Sequence, residues 1–223
     1  MGIPVLVIGK SGSGKSTALR NFDEKELALI NVISKPLPFR KKFESTINTD
    51  DYQTILKAMY KTNKKAIAID DAGYLITNQF MNNHSKVGGG NAVFNLYNDL
   101  GDKYWTLIEF VKNRLPEDKI VYFNMHEDKN DYGDIKPKTI GKLLDEKVCI
   151  EGMFTIVLRC MNDNNKHYFS TQSNGCDVAK TPLEMFEDKE IDNDLKMVDT
   201  KIREYYELNQ QKEENKNESS KEN

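Results

Sequence analysis

The chain has 223 residues, of which 38% are apolar and 30% charged, with ten Tyr, ten Phe and one Trp. This is enough for one domain with a real core, and too aromatic for disorder throughout. Thirty-two basic against 35 acidic residues give a net charge of −3, which excludes a bulk nucleic-acid coat and leaves only a local patch for any such contact.

No run approaches about 18 apolar residues, so no membrane span is expected. The N-terminus has no basic leader or cleavage site, so no signal peptide is expected either, and the reading is a cytoplasmic protein. Cys149, Cys160 and Cys176 are odd in number and lack CxxC spacing. They read as reduced thiols, not as disulfides or a zinc site.

In chain order, residues 5–8 (Val-Leu-Val-Ile) form a short apolar run ending at Gly9, as a buried parallel strand does. A helix is predicted over 15–21 and a second strand over 27–32. A helix follows at 51–60, then a third strand at 66–69 that ends in Asp70-Asp71. Residues 81–92, with Gly88-Gly89-Gly90, read as a long polar loop. A helix over 102–114 puts Tyr104, Leu107, Ile108 and Val111 on one face. The fourth strand, 120–123, runs into Asn124-Met125-His126, and 127–142 reads as a second long loop rich in lysine. Strands at 154–158 and 167–171 pair as a hairpin across 162–166, and a helix covers 192–208. Residues 209–223 contain no apolar side chain and are predicted to be a disordered polar tail. Strands alternating with helices predict an α/β domain over 1–208 with a mainly parallel sheet, a C-terminal β-hairpin and a final helix.

Gly9-Lys10-Ser11-Gly12-Ser13-Gly14-Lys15-Ser16 matches G-x-x-x-x-G-K-[ST] in full, with a strand before it and a helix predicted after it. Glycines let successive main-chain N–H groups turn toward phosphate oxygens. In this pattern Lys15 reaches the β- and γ-phosphates and the Ser16 hydroxyl is a Mg2+ ligand. Thr17 stands where a helix N-terminus adds its positive end. A phosphate loop needs an acidic partner for the ion, and Asp70 at the end of an apolar strand supplies it. Asp71 is the candidate to polarise an attacking water. Asn124 and His126 share one side of an extended chain, and His126 is preferred, ahead of Asn124, as the polar group near the γ-phosphate.

These residues resemble the phage-encoded P-loop ATP-binding proteins with a RecA-like core, some of which are single-strand annealing proteins in recombination. The resemblance runs from about Ile3 to Tyr206. It rests on the N-terminal loop, Asp70-Asp71 and His126-Glu127, with Lys138-Thr139-Ile140-Gly141-Lys142, Glu151-Gly152-Met153-Phe154-Thr155, and the segment 177–186 followed by Asn193-Asp194-Leu195. It implies a P-loop NTPase of RecA-like architecture, with ATP and Mg2+ as ligands and single-stranded DNA as a partner. It also implies a homo-oligomer and contact with a phage single-strand-binding or replication protein. The family's DNA-contacting loop follows the strand that senses the γ-phosphate, which here brings in Lys129, Tyr132, Lys136, Lys138 and Lys142: ammonium groups for phosphates and one ring for a base. A cation among Lys136, Lys138 and Lys142 could instead reach a neighbouring subunit's nucleotide. Arg40-Lys41-Lys42, between Phe39 and Phe43, is a second basic candidate. Only two residues precede the first strand, which favours annealing or an accessory role over strand exchange.

Three rivals stay open. A nucleotide or small-molecule kinase would carry an arginine-rich lid, whereas Arg20, Arg40, Arg114, Arg159 and Arg203 are scattered. A GTPase would carry an Asn-Lys-x-Asp reader, which is missing. A nucleotide-switched module without turnover would bind a phage replication protein.

Overall fold

The computed structural model describes residues 1–130, 132–140 and 143–208. Lys142 and the tail at 209–223 lie outside the described residues. Six parallel strands form the body of the sheet: β1 (Ile3–Gly9), β2 (Leu27–Asn31), β3 (Ser45–Asn48), β4 (Ala66–Asp70), β5 (Ile120–Lys129) and β7 (Ile156–Asp163). β8 (Lys166–Ser170) and β9 (Glu190–Asp192) add antiparallel strands at one edge, giving the order β3-β2-β4-β5-β1-β7-β8-β9. β6 (Ile135–Pro137) lies off this path and pairs with the outer end of β5. The protein is thus α/β, with a mixed but mostly parallel sheet flanked by helices.

Period-two alternation splits each central strand between two cores. Leu6, Ile8, Ile67, Ile69, Val121 and Phe123 face α1 (Tyr52–Lys61), α2 (Tyr74–Asn83) and α3 (Asn91–Arg114). Val5, Val7, Ala66, Ala68, Ile120 and Tyr122 face a short 3-10 helix (Thr17–Asn21) and α4 (Leu195–Tyr205). Local signals start two of the helices. Asp51 accepts from the Thr54 amide at 2.7 Å ahead of α1, and Asp194 accepts from the amides of Lys196 and Met197 ahead of α4. The β7–β8 hairpin closes on Asn164 and Asn165, both at positive φ (48° and 64°), which suits the right-handed twist of its strands.

Four local expectations are corrected. The helix predicted over 15–21 is only the five-residue 3-10 turn Thr17–Asn21. Arg20 caps it by donating to the Thr17 and Asn193 carbonyls, and the chain leaves in extended form at Phe22, a ring buried beneath α4. Thr17 therefore brings no macrodipole of consequence. The loop predicted at 81–92 is mostly helical: α2 reaches Asn83, a 3-10 turn covers His84–Lys86, and α3 begins at Asn91. Phe80 stacks on both His84 and Tyr97 and knits the two helices together. The helix predicted at 102–114 starts eleven residues earlier, at Asn91. The loop predicted at 127–142 is largely a β-hairpin, because β5 runs on to Lys129 and Asn130 closes the turn. The Asn130 side chain accepts from the Tyr132 and Asp134 amides and donates to the Asp134 carboxylate.

Candidate nucleotide site at the carboxyl ends of β1, β4 and β5

The chain passes from β1 to the far side of the sheet and returns to insert β5 between β4 and β1. The carboxyl ends of these three strands meet at the reversal, where open α/β sheets form their ligand crevice. Gly9 lies opposite His126 in the β1–β5 register, and Asn124 opposite Val7.

The Gly9–Ser16 loop is held from below. The Ser13 carbonyl accepts from Cys160 Sγ at 3.1 Å and meets His167 Nδ1 at 2.6 Å, while Asn193 Nδ2 donates to the same thiol at 3.2 Å. Burial pushes the Cys160 thiol up to about 11, so it stays protonated as a donor. Gly14 has φ +109°, and a Cβ there would meet His167 Nδ1 at 3.0 Å. At Gly9 a Cβ would stand 2.5 Å from both the Cys160 carbonyl and Ser13 Oγ. Gly9→Ala is accordingly expected to deform the loop, weakening nucleotide binding at least about tenfold and costing roughly 1–3 kcal/mol of stability. Calorimetric titration and a thermal melt test it, and unchanged values in both would contradict the packing described.

Among the described residues, the amides of Gly12, Gly14, Lys15 and Ser16 donate to no acceptor, whereas the Ser13 amide is spent on the Lys10 carbonyl at 3.2 Å. Successive main-chain N–H groups left open in a glycine-rich turn are suited to an anion. Lys15 is buried, and its Nζ donates to the Gly9 and Lys10 carbonyls at 2.8 Å each. Burial lowers its pKa, against the raising influence of Cys160, Asp71 and Asp70.

Opposite the loop, Asp70 is 1% exposed. Its Oδ1 accepts from Ser16 Oγ and from Asn124 Nδ2, both at 2.9 Å. Burial raises the Asp70 pKa and these two donors oppose the rise. Asn124 Oδ1, fully buried, has no partner among the described residues. Asn124 thus orients Asp70, while His126 sits further out, with its Nε2 3.6 Å from Asp71 Oδ1 and its ring edge-on to Tyr74 at 5.9 Å. Burial, then the positive charge of Lys15, lowers the His126 pKa and favours the neutral imidazole. Asp71 is a non-glycine residue at φ +59°, a costly conformation kept at sites that need it. Its other oxygen, Oδ2, is ion-paired with Lys35.

A cleft of about 520 Å³ adjoins this cluster, lined by Lys10, Ser11, Tyr74, Thr77, His126 and Lys138. Gly12 is exposed at the loop's crest and Thr17 opens the 3-10 turn. Lys129 and Tyr132 take no part in the cluster. They lie at the far end of the β5–β6 hairpin, where Tyr132 is 93% exposed, and Lys136 pairs across from Asp128 in β6. Acidic Asp128 and Asp134 alternate with the hairpin's lysines, so the hairpin is not a purely cationic surface. In the Arg40-Lys41-Lys42 cluster, Lys41 is structural: its Nζ donates to the Arg20 and Phe22 carbonyls at 2.6 Å each.

Sequence reasoning missed Lys35, Cys160, His167 and Asn193. Each reaches the site from a distant segment, and nothing in its local sequence marks its place beside the loop. Arg159, noted only as one of the scattered arginines, is bidentate to Glu127 (2.9 and 3.2 Å) and bonds Asp177 at 3.2 Å beside the cleft.

The residues fit Mg2+: Ser16 and Asp70 are hard oxygen donors already brought together. Among the described residues no group of three or more His, Cys, Asp or Glu forms a metal cage. No described helix is long and apolar enough to cross a membrane. Compared with protein-family models and with curated proteins, the chain finds no match.

Proposed function

We propose that the protein is a P-loop NTPase of RecA-like architecture that binds Mg2+ and ATP at the Gly9–Ser16 loop and hydrolyses the nucleotide. The observation that carries this reading is the junction of Ser16 and Asp70 through a 2.9 Å hydrogen bond, beside a buried Lys15 and a loop with unspent amides. The strand order supports it, since β5 separates the acid-bearing β4 from β1 and brings Asn124 and His126 between them.

In this reading Lys15 exchanges the Gly9 and Lys10 carbonyls for phosphate oxygens, and the loop amides donate to the same group. Ser16 and Asp70 would hold magnesium, which supplies charge neutralisation to the phosphates. Asn124 keeps Asp70 aimed. Asp71 takes the proton as a water oxygen bonds to the terminal phosphorus. The bond from phosphorus to the bridging oxygen breaks, and ADP leaves with the electron pair.

Single-stranded DNA is the proposed partner, with the β5–β6 hairpin as its contact through Lys129, Tyr132, Lys136 and Lys138. A homo-oligomer working in phage recombination or replication, alongside a replication protein, completes the proposal. The experiment is ATP turnover with and without single-stranded DNA, together with the mass in solution. Neutralising Lys129, Lys136 and Lys138 together is expected to weaken DNA binding and reduce the salt slope by about two to three. Turnover without any DNA effect would remove the hairpin proposal and leave the ATPase; nucleotide binding with no turnover would favour a switch module.

A further inference from the structure

Lys35 is the least anticipated charge near the loop. It sits in the connection after β2, within Ser34-Lys35-Pro36, and Ser34 has φ +57°. Its main chain is pinned, because Asn31 Nδ2 donates to the Lys35 carbonyl at 2.7 Å. Its side chain is ion-paired with Asp71 and 42% exposed. Asp71, by contrast, is 3% exposed, fixed in a left-handed conformation at the end of β4, and flanked by His126. The arrangement is a part-exposed cation on an anchored base, paired with a buried anion.

The same cation stands close enough to influence the rest of the site. The positive charge of Lys35 bears on Lys15, Asp70 and His126. Burial lowers the Lys35 pKa, but the hydrogen bond and charge of Asp71 outweigh it and leave the pKa raised, so the ammonium stays charged. In the triphosphate reading, a terminal phosphate beside Lys15 would offer the Lys35 ammonium a second anion. A diphosphate lacks that group.

We propose that Lys35 is a positioning residue that distinguishes a nucleoside triphosphate from a diphosphate: without nucleotide it holds Asp71, and with a terminal phosphate it turns to that group and leaves Asp71 free. This inference rests on the triphosphate reading of the loop. Asp71 is then unavailable to water until the terminal phosphate has arrived, which couples binding to the chemical step. Lys35 needs no contact with the reacting water for this, only an exchange of one anion for another.

The test compares affinities for ADP and for a slowly hydrolysed ATP analogue, each with Mg2+, by calorimetric titration. Wild type is expected to prefer the triphosphate. Lys35→Met is expected to bind ADP as wild type does and to lose roughly three- to tenfold of triphosphate affinity, the net of exchanging the Asp71 pair for a phosphate pair. Lys35→Arg should restore the preference. Because Lys35→Met strands a buried carboxylate, the double variant Lys35→Met, Asp71→Asn provides a folded comparison with the same expected loss. If wild type binds neither nucleotide, the loop reading itself fails and this inference goes with it. If wild type binds both and the variants keep the full triphosphate preference, the Lys35 proposal is overturned and the loop reading stands.

Discussion

Lys15→Ala is expected to reduce ATP affinity by roughly a hundredfold or more and to remove measurable turnover. Each charge-assisted hydrogen bond to phosphate is worth about 1.5–3 kcal/mol, and this ammonium is positioned to make two. The cost to folding should be small by comparison. Nζ now bonds only the Gly9 and Lys10 carbonyls, and Lys10 lies at the surface, where water can replace the lost donor. Binding and stability should therefore separate, with calorimetry showing the loss and a thermal melt of the free protein shifting little. Lys57→Ala is the matched control, since its exposed side chain lies on α1, outside the loop and the cleft lining. It should keep binding within about threefold, as exposed charges do. Normal ATP affinity in the Lys15 variant would end the phosphate-loop assignment.

The strands that carry this site were legible because they are buried on both faces. β1, β2, β4 and the first half of β5 read as unbroken apolar runs, and each ends at a glycine or a polar side chain that the sheet delivers to its carboxyl edge. β3 was not legible. Its Ser-Thr-Ile-Asn is polar and half exposed, as an edge strand tends to be, and only pairing with β2 makes it a strand. The outer half of β5 failed for a related reason. His126 to Lys129 offers no apolar alternation, and its extension depends on β6 and on the bidentate grip of Arg159 on Glu127. α2 was hidden because its start is set by the left-handed turn at Asp71, not by a capping side chain. Within the site, the loop and Asp70 announced themselves by spacing. Lys35 did not, because a lysine between serine and proline looks like any surface loop until the fold sets it against Asp71.

Arg159→Met is expected to produce the largest loss of stability of any single change near the site. The guanidinium satisfies both oxygens of Glu127 and one of Asp177, and the Glu127 and Asp177 side chains are 4% and 1% exposed. The hydrogen bond to Glu127 raises the arginine's already high pKa, so the cation is permanent. Among the described residues one guanidinium balances two carboxylates, and removing it leaves both without a counter-charge in a medium that solvates them poorly. Breaking a buried ion pair from one side costs about 3–5 kcal/mol. At roughly 2–4 °C per kcal/mol for a chain of this size, the melting temperature should fall by between about 6 and 20 °C. The same argument predicts a recovery. Adding Glu127→Gln and Asp177→Asn to the Arg159 variant removes the stranded charges, and most of the loss should return even though the hydrogen bonds do not. The location matters for function as well as stability, because Glu127 lines the cleft beside His126 and the network ties the hairpin's base to β7. The Arg159 variant should also bind nucleotide more weakly while folded, and the triple variant should regain stability faster than affinity. A melting temperature within about 2 °C of wild type for Arg159→Met would mean that water reaches these carboxylates, and that the hairpin's base is not anchored by charge at all.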